Sequence, residues 1–239
     1  VGMTCAELCA QKGLAGEICL IDVNEGRARG IALDLCQMGA IEGFGARIRG
    51  TGDPRATHGS DLFIVTAGLP RKPGMSRSDL LETNGKVVAS VAEYIRAGSP
   101  EAVVIVVTNP LDVMVSLMRV KLGFPARRVI GMAGVLDSAR FSWFIAEETG
   151  TSVVDVDAMV LGAHGDSMVP LPKACTVNGV ALPELDDRAT IEQMAERTRK
   201  GGGEIVEPLK TGSPFYAPAA AAEATPGAIL NERPGTLPA

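Results

Sequence analysis

Histidine is scarce in this chain: His58 and His164 are the only two among 239 residues. Cysteine is almost as sparse, at Cys5, Cys9, Cys19, Cys36 and Cys175, with no Cys-x-x-Cys pair. That excludes a disulfide-dense secreted scaffold and a zinc ribbon. Cys5 and Cys9 stand four apart on a predicted helix, so a shared metal is one reading of them. Neither histidine lies near them in sequence, and small buried hydrophobes in a reducing compartment is the better reading. Aromatics make up 4%, too few for a stacking platform on single-stranded nucleic acid. Basic charge is not in excess, with 23 Lys and Arg against 28 Asp and Glu and a net charge of −5. Nucleic acid is therefore not the expected partner, because phosphate binding rests on clustered cations. No apolar run reaches the ~18 residues of a membrane span, and no secretory signal is visible, so no membrane partner is expected either. A cytoplasmic location is the corresponding expectation.

What is abundant is glycine, at 28 residues, within a 46% hydrophobic and 21% charged composition. Such a chain is long enough to bury a sizeable core, and it suits an α/β protein with tight turns. Residues 17–21, 46–50, 62–66 and 103–107 read as strands, each rich in apolar or β-branched side chains. Continuous runs of that kind are buried on both faces, which predicts a parallel sheet covered by helices. Helical patterns fill the gaps at 24–38, 78–97 and 111–122. The expected fold is a doubly wound, Rossmann-type α/β sheet over residues 1–133. A mixed α+β domain follows over 134–239. In the first, ligands sit at the carboxyl ends of the strands. Asp22, Thr66-Ala67-Gly68 and Asn109 all fall there.

An acid ending the second strand of such a sheet is the ribose-binding half of a dinucleotide fingerprint, though many strands end in Asp as a turn residue. Its charge favours NAD over NADP. Gly2 stands where the last glycine of a phosphate loop belongs. The first strand and the other loop glycines would precede residue 1, so an incomplete chain is expected.

Three further stretches carry possible chemistry. Leu161 to Pro170 holds His164 in a glycine-rich turn after residues 157–161, which read as one buried strand. That is either a hydrogen-bonded turn histidine or a proton donor presented by a rigid scaffold. Residues 69–78 carry Arg71, Lys72 and Arg77 between two prolines and a glycine. A lid that carries cations to an anionic ligand and a solvated basic loop are the two readings. Asp137 and Arg140 lie three apart on a helix starting near Leu136. They read as a surface ion pair, or as an acid that holds a histidine beside an arginine that holds a carboxylate. Farther on, Asn178-Gly179 predicts a hairpin, residues 187–208 a charged helix interrupted by Gly201-Gly202-Gly203, and 217–224 an alanine-rich helix. The prolines and glycines of 225–239 argue against one continuous helix there.

Taken together, four motifs make the chain similar to the lactate/malate dehydrogenase family over nearly its whole length. They are Ala-Gly-Leu-Pro-Arg-Lys-Pro-Gly-Met-Ser-Arg at 67–77, Thr-Asn-Pro-Leu-Asp at 108–112, Leu-Asp-Ser-Ala-Arg-Phe at 136–141 and Gly-Ala-His-Gly-Asp-Ser at 162–167. Within the family the likeness is to the enzymes that act on the diacid. The resemblance implies reversible hydride transfer between NAD(H) and a small 2-hydroxy acid, by a homodimer or homotetramer. It implies His164 as the proton donor, Asp137 as its orienting acid, and Arg140 as the grip on one substrate carboxylate. Arg77 then polarises the carbonyl, and Arg71 pairs with a second carboxylate. Asn109 lies near both nicotinamide and substrate, and Thr211 and Ser213 line the pocket. Gly2, Asp22, Thr66, Ala67, Gly68 and Asn84 become dinucleotide contacts. A preference for lactate or another 2-hydroxy acid is the nearest alternative, and an inactive fragment is the other. The family also normally runs on beyond this C-terminus.

Overall fold

A computed structural model of the chain describes residues 1–70, 76–210, 212–230 and 237–239. It groups them into two compact units. One contains Val1–Gly131 with Phe215–Gly235, and the other Met132–Pro214 with Thr236–Ala239.

In the first unit, strands and helices alternate as their sequence patterns require. Helix α1 (Gly2–Gln11) leads to β1 (Glu17–Ile21), α2 (Glu25–Glu42), β2 (Arg47–Thr51) and β3 (Leu62–Val65). Helix α3 (Arg77–Gly98), β4 (Val103–Val106), α4 (Leu111–Leu122) and β5 (Val129–Gly131) follow. Every strand pairing among the described residues of this unit is parallel: β1 with β2, and β3, β4 and β5 in that order. Val104, Ile105 and Val106 of β4 are fully buried, the mark of a strand covered on both faces. Two of these helix starts, those of α2 and α3, are capped by side chains. Asn24 accepts a hydrogen bond from the Arg27 amide to cap α2. Ser76 and Asp79 form a reciprocal capping box at α3.

The second unit is built on α5 (Gly134–Thr149), which ends at Gly150 in the left-handed conformation (φ 65°). Short antiparallel pieces surround it. They are β6 (Val156–Asp157), β7 (Val160–Gly162), β8 (Met168–Pro170), β9 (Thr176–Val177) and β10 (Val180–Ala181). Asn178 and Gly179 both have positive φ, so β9 and β10 close on the expected two-residue turn. A single-turn helix, α6 (Leu182–Leu185), precedes α7 (Arg188–Leu209), whose N-cap Asp187 accepts from the Thr190 amide at 2.8 Å. Phe141, Ile145, Val160 and Leu182 are fully buried in one cluster here. Phe141→Ala removes the largest of them. It should lower unfolding stability by about 3–5 kcal/mol, read from the urea midpoint.

Three sequence expectations are corrected. Residues 157–161 are not one strand. β6 pairs with β9, while β7 pairs with β8, and Ala158 and Met159 belong to neither strand. Helix α7 is not interrupted at Gly201-Gly202-Gly203 but runs through them. Three glycines weaken a helix interior by roughly 1 kcal/mol each against alanine, so packing on α5 outweighs propensity. The last helix, α8 (Tyr216–Leu230), runs beyond the expected 217–224 and through Pro226, while residues 237–239 are not helical, so 225–239 is not one continuous helix, as expected. It packs on α1, burying Ala219, Ala221 and Ala222, and its buried Glu223 pairs with Lys12. Those contacts outweigh the lost proline hydrogen bond.

Candidate active site

In the first unit, the expected dinucleotide residues gather at the carboxyl ends of the parallel strands. Asp22 follows β1, and its Oδ1 accepts from the Asn24 amide at 2.9 Å. Thr66, Ala67 and Gly68 follow β3, and Asn109 follows β4, with an exposed side chain. Gly2 opens α1. A Cβ at Gly2 would lie 2.9 Å from Thr66 Oγ1, so glycine is what lets the helix start approach the β3 end this closely. A Cβ on Gly68 would meet Thr108 Cγ2 at 2.7 Å. Backbone edges, a helix N-terminus and an acid are thus presented together, and that donor and acceptor set fits a dinucleotide.

Asn84 is 1% exposed, and among the described residues its amide bonds to backbone. Oδ1 accepts from the Leu69 amide at 2.8 Å, while Nδ2 donates to the carbonyls of Leu69 (3.1 Å) and Asn109 (2.7 Å). It clasps the segments that follow β3 and β4. Thr108, which sequence reasoning did not single out, does the same. Its hydroxyl donates to Ala67 O at 2.7 Å. The signal was its place beside Asn109 in the Thr-Asn-Pro motif.

In the second unit, the β7–β8 turn brings His164 to Asp137 and Arg140, which are neighbours on α5. Asp137 lies in the first turn of α5, where the helix dipole favours a carboxylate. Its side chain is only 2% exposed, yet both oxygens are engaged. Oδ2 lies 2.9 Å from His164 Nδ1, and Oδ1 accepts from Arg140 Nη1 at 3.1 Å. A carboxylate can only accept, so Nδ1 carries the proton and Nε2 is left as the reactive nitrogen. A second clasp fixes the turn to the helix. Ser138 Oγ accepts from the Val160 amide at 2.9 Å, in a buried contact. Sequence reasoning missed Ser138, although it stands next to Asp137 in a quoted motif. His164 keeps a partly open side chain, with 18% exposure. Burial pulls the Arg140 guanidinium below its ordinary value, and Asp137 partly restores it. It remains a cation at working pH, as arginine does.

The second unit thus presents a histidine held through Nδ1 beside a guanidinium held through Nη1. A lactate/malate dehydrogenase NAD-binding domain profile matches residues 1–131, and the lactate/malate dehydrogenase alpha/beta C-terminal domain profile matches 134–239. The chain belongs to the lactate/malate dehydrogenase family. It is 51% identical to a malate dehydrogenase of Rhodopirellula baltica across its own whole length and 76% of that protein. The structure of malate dehydrogenase from Salinibacter ruber superposes with a TM-score of 0.93 at 47% identity, covering 99% of this chain and 75% of that one. A lactate dehydrogenase from Cryptosporidium parvum, complexed with lactic acid and nicotinamide adenine dinucleotide, gives 0.91 at 40% identity. The overlap covers 97% of this chain and 74% of that one.

Arg71 and Thr211 lie outside the described residues, as does the side chain of Arg77. Ser213 falls in the segment between α7 and α8 and is exposed.

Proposed function

We propose that this dehydrogenase interconverts malate and oxaloacetate with NAD(H). The observation that carries the reading is the buried Asp137, which binds His164 through one oxygen and Arg140 through the other. In the reduction direction, bound NADH supplies the hydride to the keto carbon. His164 gives its proton to the carbonyl oxygen from Nε2, and histidine is the side chain suited to that exchange near neutral pH. Asp137 fixes the ring tautomer and stabilises the imidazolium. Arg140 binds a substrate carboxylate with its planar fork. Arg77 polarises the carbonyl, and Arg71 pairs with the second carboxylate of the diacid. Asp22 accepts from the adenosine ribose, Gly2 and 66–68 line the dinucleotide path, and Asn109 faces nicotinamide and substrate.

The accompanying division of labour is residues 1–133 for the dinucleotide and 134–239 for the substrate. The cysteines are all free thiols, which supports a cytoplasmic location. No helix among the described residues is long and apolar enough to cross a membrane. A homodimer or homotetramer is the assembly proposed with this reading.

The test is NADH oxidation by the full gene product with oxaloacetate and with pyruvate. Turnover with a strong preference for oxaloacetate is expected. A preference for pyruvate would make it a lactate enzyme, and no turnover with either would remove the reading.

A further inference from the structure

Arg140 is held from one side by Asp137. The other side is the surface of α7, and it is made of glycine. A Cβ built on Gly201 would stand 3.3 Å from Arg140 Cδ and 3.7 Å from its Nε. One built on Gly202 would stand 3.7 Å from Nη2, and one on Gly203 would meet nothing within 4 Å. Burial falls off in the same order along these three residues. The Arg140 Nε is itself buried, with no hydrogen-bond partner among the described residues. It is therefore not a polar bond that fixes the depth of this guanidinium on the α7 side. Contact with bare backbone does so.

We propose that Gly201 and Gly202 are positioning residues for Arg140. They form a side-chain-free shelf that sets how far its guanidinium lies from α7, and so where the fork meets the substrate carboxylate. The inference rests on the reading of Arg140 as the carboxylate-binding residue. At Gly201 an added methyl group forces the arginine stem outward by a few tenths of an ångström, because the opposite side is pinned through Nη1. Displacements near 1 Å in a binding residue cost about 10²-fold, so a few tenths should cost about tenfold. A group that binds the carboxylate equally in ground and transition states acts on KM more than on kcat.

The alanine series at the three glycines tests this in the full gene product. Gly201→Ala should raise KM for oxaloacetate about tenfold, with kcat reduced no more than about threefold and KM for NADH unchanged. Gly202→Ala, whose added Cβ would reach Arg140 Nη2 only at ordinary contact distance, should change it less than about twofold, and Gly203→Ala not at all. Melting temperatures should stay level or rise in all three, because alanine favours a helix interior over glycine. A merely structural role gives the opposite pattern: lowered melting with a normal KM. If Gly201→Ala does not fold, Gly202→Val, whose branches extend past the 3.7 Å contact with Arg140 Nη2, should raise KM while Gly203→Val leaves it normal. Equal KM values across the series overturn it. Arg140→Gln separates the two levels. A large rise in KM there, with a normal Gly201→Ala, overturns the shelf alone. An unchanged KM in Arg140→Gln overturns the carboxylate reading, and the shelf with it.

Discussion

His164→Asn should lower kcat for oxaloacetate reduction by about 10²–10⁴, the usual contribution of a positioned acid or base. Asparagine fills similar space and can still donate a hydrogen bond to Asp137. It cannot release and recover a proton at a working pH. KM for oxaloacetate should change little, because Arg140 keeps its own bond to Asp137 Oδ1. NADH affinity, read from nucleotide fluorescence, should not move, since the dinucleotide residues belong to the other unit. That combination separates a lost proton donor from a damaged fold, which would weaken all three quantities. A fall in kcat of less than about tenfold would remove His164 from the reaction. Asp137 makes a useful contrast. Its two oxygens serve two partners, so Asp137→Asn should injure both kcat and KM, where His164→Asn injures kcat alone.

The parts of this site that were legible in the sequence are those carried by local pattern. The β-branched run of β4 marks a doubly covered strand without help from any other segment. His164, Asp137 and Arg140 are recognisable because each sits inside a contiguous motif. What was not legible depends on neighbours distant in sequence. The run 157–161 splits because β6 and β7 take different partners, and alternation within five residues cannot reveal that. Pro226 is helical because α8 lies on α1, a contact between the two ends of the chain. Gly201 reads as a helix breaker until Arg140 is seen against it. Asn84 belongs to no quoted motif, and its three bonds to backbone become visible only once the β3 and β4 ends meet.

Arg71→Gln should shift the preference between oxaloacetate and pyruvate by about 10³ or more in the ratio of kcat/KM values. Two effects add. Oxaloacetate carries a second carboxylate, and leaving a buried charge without its partner costs about 2–5 kcal/mol, roughly thirty- to several-thousand-fold. Pyruvate has only a methyl group there, so in the proposed reading it would offer Arg71 no charge to pair with. A neutral glutamine removes that penalty, and turnover of pyruvate should rise. Sites built around a polar partner reject the analogue that lacks it by far more than apolar pockets reject a missing methylene. Lysine at this position is the discriminating control. It keeps the charge without the planar fork, so Arg71→Lys should hold the preference for oxaloacetate while raising its KM. If charge is what sorts the substrates, the two variants diverge. If Arg71→Gln keeps its full preference for oxaloacetate, the second carboxylate is read by another group, and Arg77 becomes the residue to replace next.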